Sequence, residues 1–220
     1  MIKLDGISKT YELGESEVRA LDDISMKIGE GDFIGLHGPS GSGKTTLLRV
    51  TGLLETPDDG KYVFDGEDLA GKSHRERSRY RKEFFGFIFQ TFNLIPELTV
   101  YENVEIPLMI SGEKGDKRDE KIKEICGEVG LGDRLGHRPS QLSGGQMQRV
   151  SVARALVKDP TLTMADEPTA NLDSRTGSSV MEVMEEMNDQ HGTTFFFATH
   201  DPNVTDYLRE VHRIKDGKIL

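Results

Sequence analysis

Cysteine is nearly absent from this chain. Cys126 stands alone among 220 residues, which excludes an internal disulfide and suits a reducing compartment. Long apolar runs are missing too. The longest are "FFGFIF" and "FFFA", far short of the roughly 18–20 residues that carry a helix across a bilayer, so no membrane-spanning helix is expected. The opening residues, "MIKLDGISKTYELGE", hold no apolar run of the kind a secretory leader needs, and no leader is expected. Positive charge is in short supply. Lys and Arg number 28 against 38 Asp and Glu, and the net charge of −10 argues against a dedicated nucleic-acid binder. No internal repeat, linker or low-complexity tract interrupts the chain. What remains is a composition of 35% hydrophobic and 30% charged residues, enough for one large globular domain with a real core.

Along the chain, "IKLDGISKTY", "VRALDDISMKI" and "DFIGLHG" alternate as strands do, with a turn at "GEGD". "KTTLLRVTGLLE" has helical periodicity and should end before Thr56-Pro57. "KYVFDG" and "FFGFIFQ" read as further strands separated by a charged segment. From Leu98 to Val157 the pattern is mainly helical. An apolar strand "TLTMADEP" follows, then a helix from Ser174 to about Asn188, a strand "TTFFFATH", a short helix and a final hairpin "VHRIKDGKIL". This order predicts an α/β core with a mostly parallel sheet, an antiparallel β region near the N-terminus and an inserted helical region. The basic run His74–Lys82 reads as a solvated helix face. Met181, Met184 and Met187, with Val180 and Val183, read as a buried stripe.

Chemistry concentrates in a few places. Gly38-Pro39-Ser40-Gly41-Ser42-Gly43-Lys44-Thr45 matches G-x-x-x-x-G-K-[ST], between an apolar strand and an apolar-faced helix. Glycines let the backbone wrap a phosphate chain, and the N–H groups of the loop and of the helix start point at it. Lys44 places a cation on the β- and γ-phosphates, and Thr45 offers a hydroxyl to Mg²⁺. Asp166 and Glu167 end an apolar strand, one to hold Mg²⁺ and the other to orient or deprotonate a water. His200 directly follows another apolar strand, where α/β sheets bind ligands, and is placed to contact the γ-phosphate. Gln90 ends "FFGFIF" and could reach Mg²⁺ or the water. "LSGGQ", Leu142–Gln146, opens a second helix. Ser143 is a natural N-cap, yet a cap does not need Gly144 and Gly145 as well. With no lysine in the turn, it should complete a phosphate site rather than make one. Two chains placed head-to-tail would give two complete sites.

With these five segments and "NLD" (Asn171–Asp173) in order, the chain resembles the ATP-binding-cassette ATPases over essentially its whole length, 1–220. The resemblance implies a P-loop (RecA-like) fold with a helical subdomain at about 91–157, inside a core formed by about 1–90 and 158–220. It implies Walker A at Gly38–Thr45 with Thr46 beside it, the Q-loop residue at Gln90, the signature at Leu142–Gln146, Walker B ending at Asp166, a D-loop at Asn171–Asp173 and the H-loop residue at His200. It also implies that Tyr11 stacks on adenine and that Ser143 and Gly145 of one chain reach the γ-phosphate held by another. ATP and Mg²⁺ are the implied ligands. The implied partners are a second copy of the chain and a separate transmembrane permease, with no nucleic acid. The place is the cytoplasmic face of the cell membrane. "TFNLIPELTVYENVEIPL" is similar to the lipoprotein-release, macrolide-export and cell-division ATPases (the LolD, MacB and FtsE type), which leaves export and mechanotransmission as alternatives. Met147 departs from the glutamine that often follows the signature, and a C-terminal regulatory domain after "KDGKI" is either absent or lies outside this sequence. A DNA-repair cassette would need long coiled-coil or zinc insertions, and a translation cassette two copies. A non-hydrolysing binder should lack Glu167 or His200.

Overall fold

The computed structural model describes residues 1–14 and 16–220. In chain order its first half runs β1 (Ile2–Leu13), β2 (Ser16–Ile28), β3 (Phe33–His37), α1 (Lys44–Thr51), β4 (Asp59–Phe64), β5 (Glu67–Asp68), α2 (His74–Phe84) and β6 (Phe85–Ile88). Then come α3 (Val100–Ser111), α4 (Asp116–Glu128), α5 (Gly144–Leu156), β7 (Leu162–Asp166), α6 (Ser174–His191), β8 (Phe195–Thr199), α7 (Pro202–Thr205), β9 (Glu210–Lys215) and β10 (Lys218–Ile219). Two sheets result. One is antiparallel, in the order β2-β1-β4-β5. The other runs β10-β9-β3-β8-β7-β6, parallel throughout except for the β9–β10 hairpin.

The central strands are buried on both faces, as parallel strands covered by helices must be. Side chains alternate across them. Phe195 and Phe197 join Phe33 and Ile88 in one core with the apolar sides of α3, α4, α5 and α6. Phe196 and Ala198 join Ile34, Leu36 and Met164 in a second core, closed by α1 and the antiparallel sheet. The methionine stripe of α6 is buried as expected, with Val180 and Val183 beside it. Helix α2 carries the basic run on an exposed surface and buries Tyr80.

Several boundaries differ from the sequence reading. The helix expected across 44–55 ends at Thr51. A Cβ on Gly52 would lie 2.6 Å from Phe87 and 2.7 Å from the Met164 sulfur, and Leu53 takes a left-handed φ of 55°. The chain therefore turns here to pack against β6 and β7. The strand expected across 84–90 keeps only Phe85–Ile88, because Phe84 completes α2 and the residues after Ile88 peel away from β7. The parallel register sets His37 beside Thr199 and Asp166 beside Ala198. The carboxyl ends of β3, β7 and β8 thus line one edge of the sheet, and that edge carries the chemistry.

Candidate functional site

The loop between β3 and α1 is shaped by glycines at two points where a side chain has no room. A Cβ on Gly38 would stand 2.1 Å from the Ile214 carbonyl oxygen. A Cβ on Gly43, which sits at φ 104°, would stand 2.4 Å from the Ala20 carbonyl oxygen, and Gly43 caps α1 without a side-chain bond. Four amides at the start of α1 are consequently free of intrahelical partners. Lys44 is buried, and its Nζ donates to the carbonyls of Gly38 (2.7 Å) and Pro39 (3.0 Å), folding its side chain back along the loop. The C-terminal hairpin braces the loop through Gly217 N–H, which donates to the Ser42 carbonyl at 3.0 Å. The Ser42 hydroxyl is buried without a protein partner.

Three neighbouring strand ends deliver the other groups. Thr45 Oγ1 donates to Asp166 Oδ1 at 3.1 Å. Burial raises the Asp166 carboxyl above its ordinary range and the Glu167 charge adds to this, while the Thr45 bond and the Arg49 and Lys44 charges oppose it. Glu167 sits at φ 46°, a left-handed conformation that costs a non-glycine residue roughly 1–3 kcal/mol. Its backbone N–H donates to the Ala198 carbonyl at 2.8 Å, which holds this turn against β8. Its carboxylate is gripped from the end of β8. His200 Nδ1 lies 2.7 Å from Oε1, while Thr199 Oγ1 and the His200 N–H both reach Oε2 at 3.3 Å. Lys44 Nζ stands 4.0 Å from Oε1.

These groups open onto a cleft of about 570 Å³, lined by Ser40, Gly41, Gly43, Lys44, Thr45, Thr46, Gln90, Glu167 and His200. Gln90 is exposed at its rim, and its carbonyl accepts from Asn171 Nδ2 at 2.8 Å. Tyr11 lies to one side on β1. Its hydroxyl bonds the Glu55 carboxylate; burial first, and this bond second, raise the phenol's pKa above its ordinary value, and Lys9 Nζ stands 5.7 Å from the ring centre. Val18, the cross-strand neighbour of Tyr11, lines the cleft.

The signature turn is not part of this cleft. Ser143 is the N-cap of α5 and forms a reciprocal box with Gln146: Gln146 N–H donates to Ser143 Oγ (3.3 Å), and Ser143 N–H to Gln146 Oε1 (2.9 Å). The glycines have uses within the chain. A Cβ on Gly145 would meet Thr176 Cγ2 at 2.3 Å, and one on Gly144 would meet Leu172 at 3.1 Å. Asp173 caps α6 through the Thr176 N–H and hydroxyl, bonds that hold its carboxyl below the ordinary range. The signature and the D-loop therefore pack together, Walker A, Gln90, Asp166, Glu167 and His200 form a second cluster, and the Asn171 bond to the Gln90 carbonyl links the two.

Sequence reasoning missed Thr199, Arg19, Asp216 and Gly217. The last three line the cleft from segments with no motif of their own. The "DG" of the final hairpin was the only signal for Asp216 and Gly217, and it points to a turn rather than to a ligand.

Mg²⁺ with a nucleotide fits what is present. No group of three or more His, Cys, Asp or Glu side chains able to hold a metal occurs among the described residues. Mg²⁺ is usually held by only one or two protein oxygens together with substrate phosphates. Thr45 Oγ1 and Asp166 Oδ1 are such a hard-oxygen pair at the mouth of a loop with free amides.

Comparison with known proteins agrees. A sequence model described as "ABC transporter" matches residues 21–170. The chain is 46% identical, over its whole length, to the macrolide export ATP-binding/permease protein MacB of Syntrophobacter fumaroxidans, but spans only 31% of that protein. It is 44% identical to an uncharacterized ABC transporter ATP-binding protein of Methanocaldococcus jannaschii, with 98% of that protein covered. Among solved structures, the ATP-binding cassette MJ0796, a dimer in a post-hydrolysis state bound to ADP and Pi, superposes with a TM-score of 0.90 at 39% identity, covering 100% of this chain and 96% of that one. Fold, motifs and relatives converge, and the chain belongs to the ABC transporter family as one of its ATP-binding cassettes.

Proposed function

We propose that the chain is the ATP-hydrolysing subunit of an export-type transporter, working as a head-to-tail pair on a separate membrane permease. The observation that carries this reading is the split site. One cluster holds a phosphate loop, a metal-type oxygen pair and a carboxylate–histidine couple. The other holds an exposed Ser143 at a helix start, away from the cleft. A second chain brings its Ser143–Gln146 turn to the first chain's cleft, and the reverse.

In this mechanism the loop amides and Lys44 hold the β- and γ-phosphates. Lys44 exchanges the Gly38 and Pro39 carbonyls for phosphate oxygens. Thr45 and Asp166 would hold Mg²⁺, which supplies charge neutralisation on the phosphate oxygens. Glu167 orients the attacking water and takes its proton, and His200 holds that carboxylate in place. Gln90 reports from the rim of the cleft toward the surface, and residues 91–157 act as the helical subdomain that carries Ser143. Residues 90–98, whose "TFNLIP" is apolar for a loop, form the docking surface for the permease, and Asn93 also lines a groove of about 440 Å³ with Leu54, Phe87, Phe89, Pro107 and Ile110. The permease in turn holds the subunit on the cytoplasmic face of the membrane. The named MacB relatives carry ATP-binding and permease parts in one protein, and this chain spans about a third of their length.

Sedimentation velocity tests the pairing. Glu167→Gln keeps the side-chain shape and removes the base. This protein should be monomeric alone and dimeric with ATP, because ligand bound only by the dimer draws monomers into it. Adding Ser143→Arg should restore the monomer while ATP still binds. A double mutant that dimerises with ATP, or a single mutant that never does, refutes the paired site.

A further inference from the structure

We infer that Thr199 is a positioning residue for Glu167, setting the carboxylate's orientation through its hydroxyl. The inference rests on the reading of Glu167 as the group that orients and deprotonates water. Thr199 is the last residue of β8 and is fully buried. Its hydroxyl has one proton and two near neighbours. The Asp201 N–H donates to Oγ1 at 3.0 Å, so that side of the oxygen acts as acceptor and the proton is free to turn toward Glu167 Oε2, 3.3 Å away. The Asp201 amide is fixed by its place at the start of α7, and the Thr199 backbone by its parallel register with His37. Both ends of the relay are thus anchored in secondary structure.

Glu167 needs such an anchor. Its backbone stands in the left-handed region, and its carboxylate is 14% exposed. The His200 ring bonds Oε1, but that ring is 57% exposed, so solvent reaches this bond, whereas Thr199 is buried. The Oε2 contacts come from Thr199 and from the His200 backbone N–H, neither of which rotates with the ring. Thr199 therefore holds one carboxylate oxygen still while the other oxygen faces His200 and Lys44.

Thr199→Val keeps the side-chain shape and removes both the donor to Glu167 and the acceptor of the Asp201 N–H. Steady-state hydrolysis and calorimetric ATP affinity should separate. The kcat should fall about tenfold or more, the scale of one hydrogen bond to a charged group, with ATP affinity within about twofold of wild type. Thr199→Ser keeps the hydroxyl and should restore most of kcat. A purely structural role, capping α7 alone, would lower the melting temperature and leave kcat per folded molecule unchanged. The second measurement places Thr199→Val in a Glu167→Gln background, where the residual hydrolysis should not fall further. If the valine chain does not fold, Thr199→Ala carries the same comparisons. Wild-type kcat in the valine or alanine variant overturns the inference. So does an equal fold-loss with and without the Glu167 carboxylate. A Glu167→Gln chain that hydrolyses ATP at the wild-type rate instead overturns the reading of Glu167 itself.

Discussion

Replacing Gly145 by alanine asks what the signature glycine does inside its own chain. The new Cβ would lie 2.3 Å from Thr176 Cγ2, a separation that cannot persist. Thr176 cannot simply rotate away, because its hydroxyl bonds Asp173 Oδ2 at 2.6 Å and its N–H bonds Oδ1 at 3.1 Å, which caps α6. Either the threonine turns and gives up a hydrogen bond, or α5 and α6 move apart. Overpacking of this kind costs about 1–3 kcal/mol. Alanine in a helix recovers at most about 1 kcal/mol, and less in the first turn, where Gly145 sits. The expected net loss is about 1–2 kcal/mol, and each kcal/mol lowers the melting temperature of a chain this size by about 2–4 °C. Thr176→Ser deletes the offending methyl and keeps the hydroxyl. The double variant Gly145→Ala/Thr176→Ser should therefore regain the loss. Calorimetric melting of the four proteins without nucleotide decides it. A Gly145→Ala protein as stable as wild type, or a double variant no better than the single, refutes the packing argument. The first result would leave partner approach to explain that glycine, and the second would place the strain somewhere other than the Thr176 methyl.

Lys44→Ala removes the one fixed cation of the phosphate loop and should sharply weaken ATP binding by calorimetry in Mg²⁺, whereas wild-type affinity would sink the loop's assignment. Tyr11→Ala should lose roughly 1–3 kcal/mol of ATP affinity if the ring stacks on the base. An equal loss in Tyr11→Phe would show that the hydroxyl's bond to Glu55, not the ring, matters. Burial pushes the Cys126 thiol up to about 12, so at pH 8 almost no thiolate exists in the folded chain. Thiol reagents should leave it unlabelled natively and label it on unfolding, and fast native labelling would show that α4 opens readily.

The sequence by itself determined the inventory and the order of the parts. Gly38–Thr45 could be recognised because a phosphate loop is local: its glycines, lysine and hydroxyl lie within eight consecutive positions and act through backbone geometry. Ser143 could be read as a cap, and the α6 methionines as a core stripe, for the same reason of short-range patterning. Contacts between distant segments were beyond that reading. Nothing local to "TGLLE" announces that Gly52 must clear Phe87 and Met164, so periodicity alone extends the helix four residues past Thr51. Nothing in "LSGGQ" points to Thr176, and nothing in "FFFATH" shows that the hydroxyl of Thr199 turns toward Glu167. The pairing of Thr45 with Asp166, 121 residues apart, follows from parallel strands that end on one edge, and strand register is set by the packing of the whole sheet. The motifs name the chemistry, and the sheet's topology brings the groups within reach of one another.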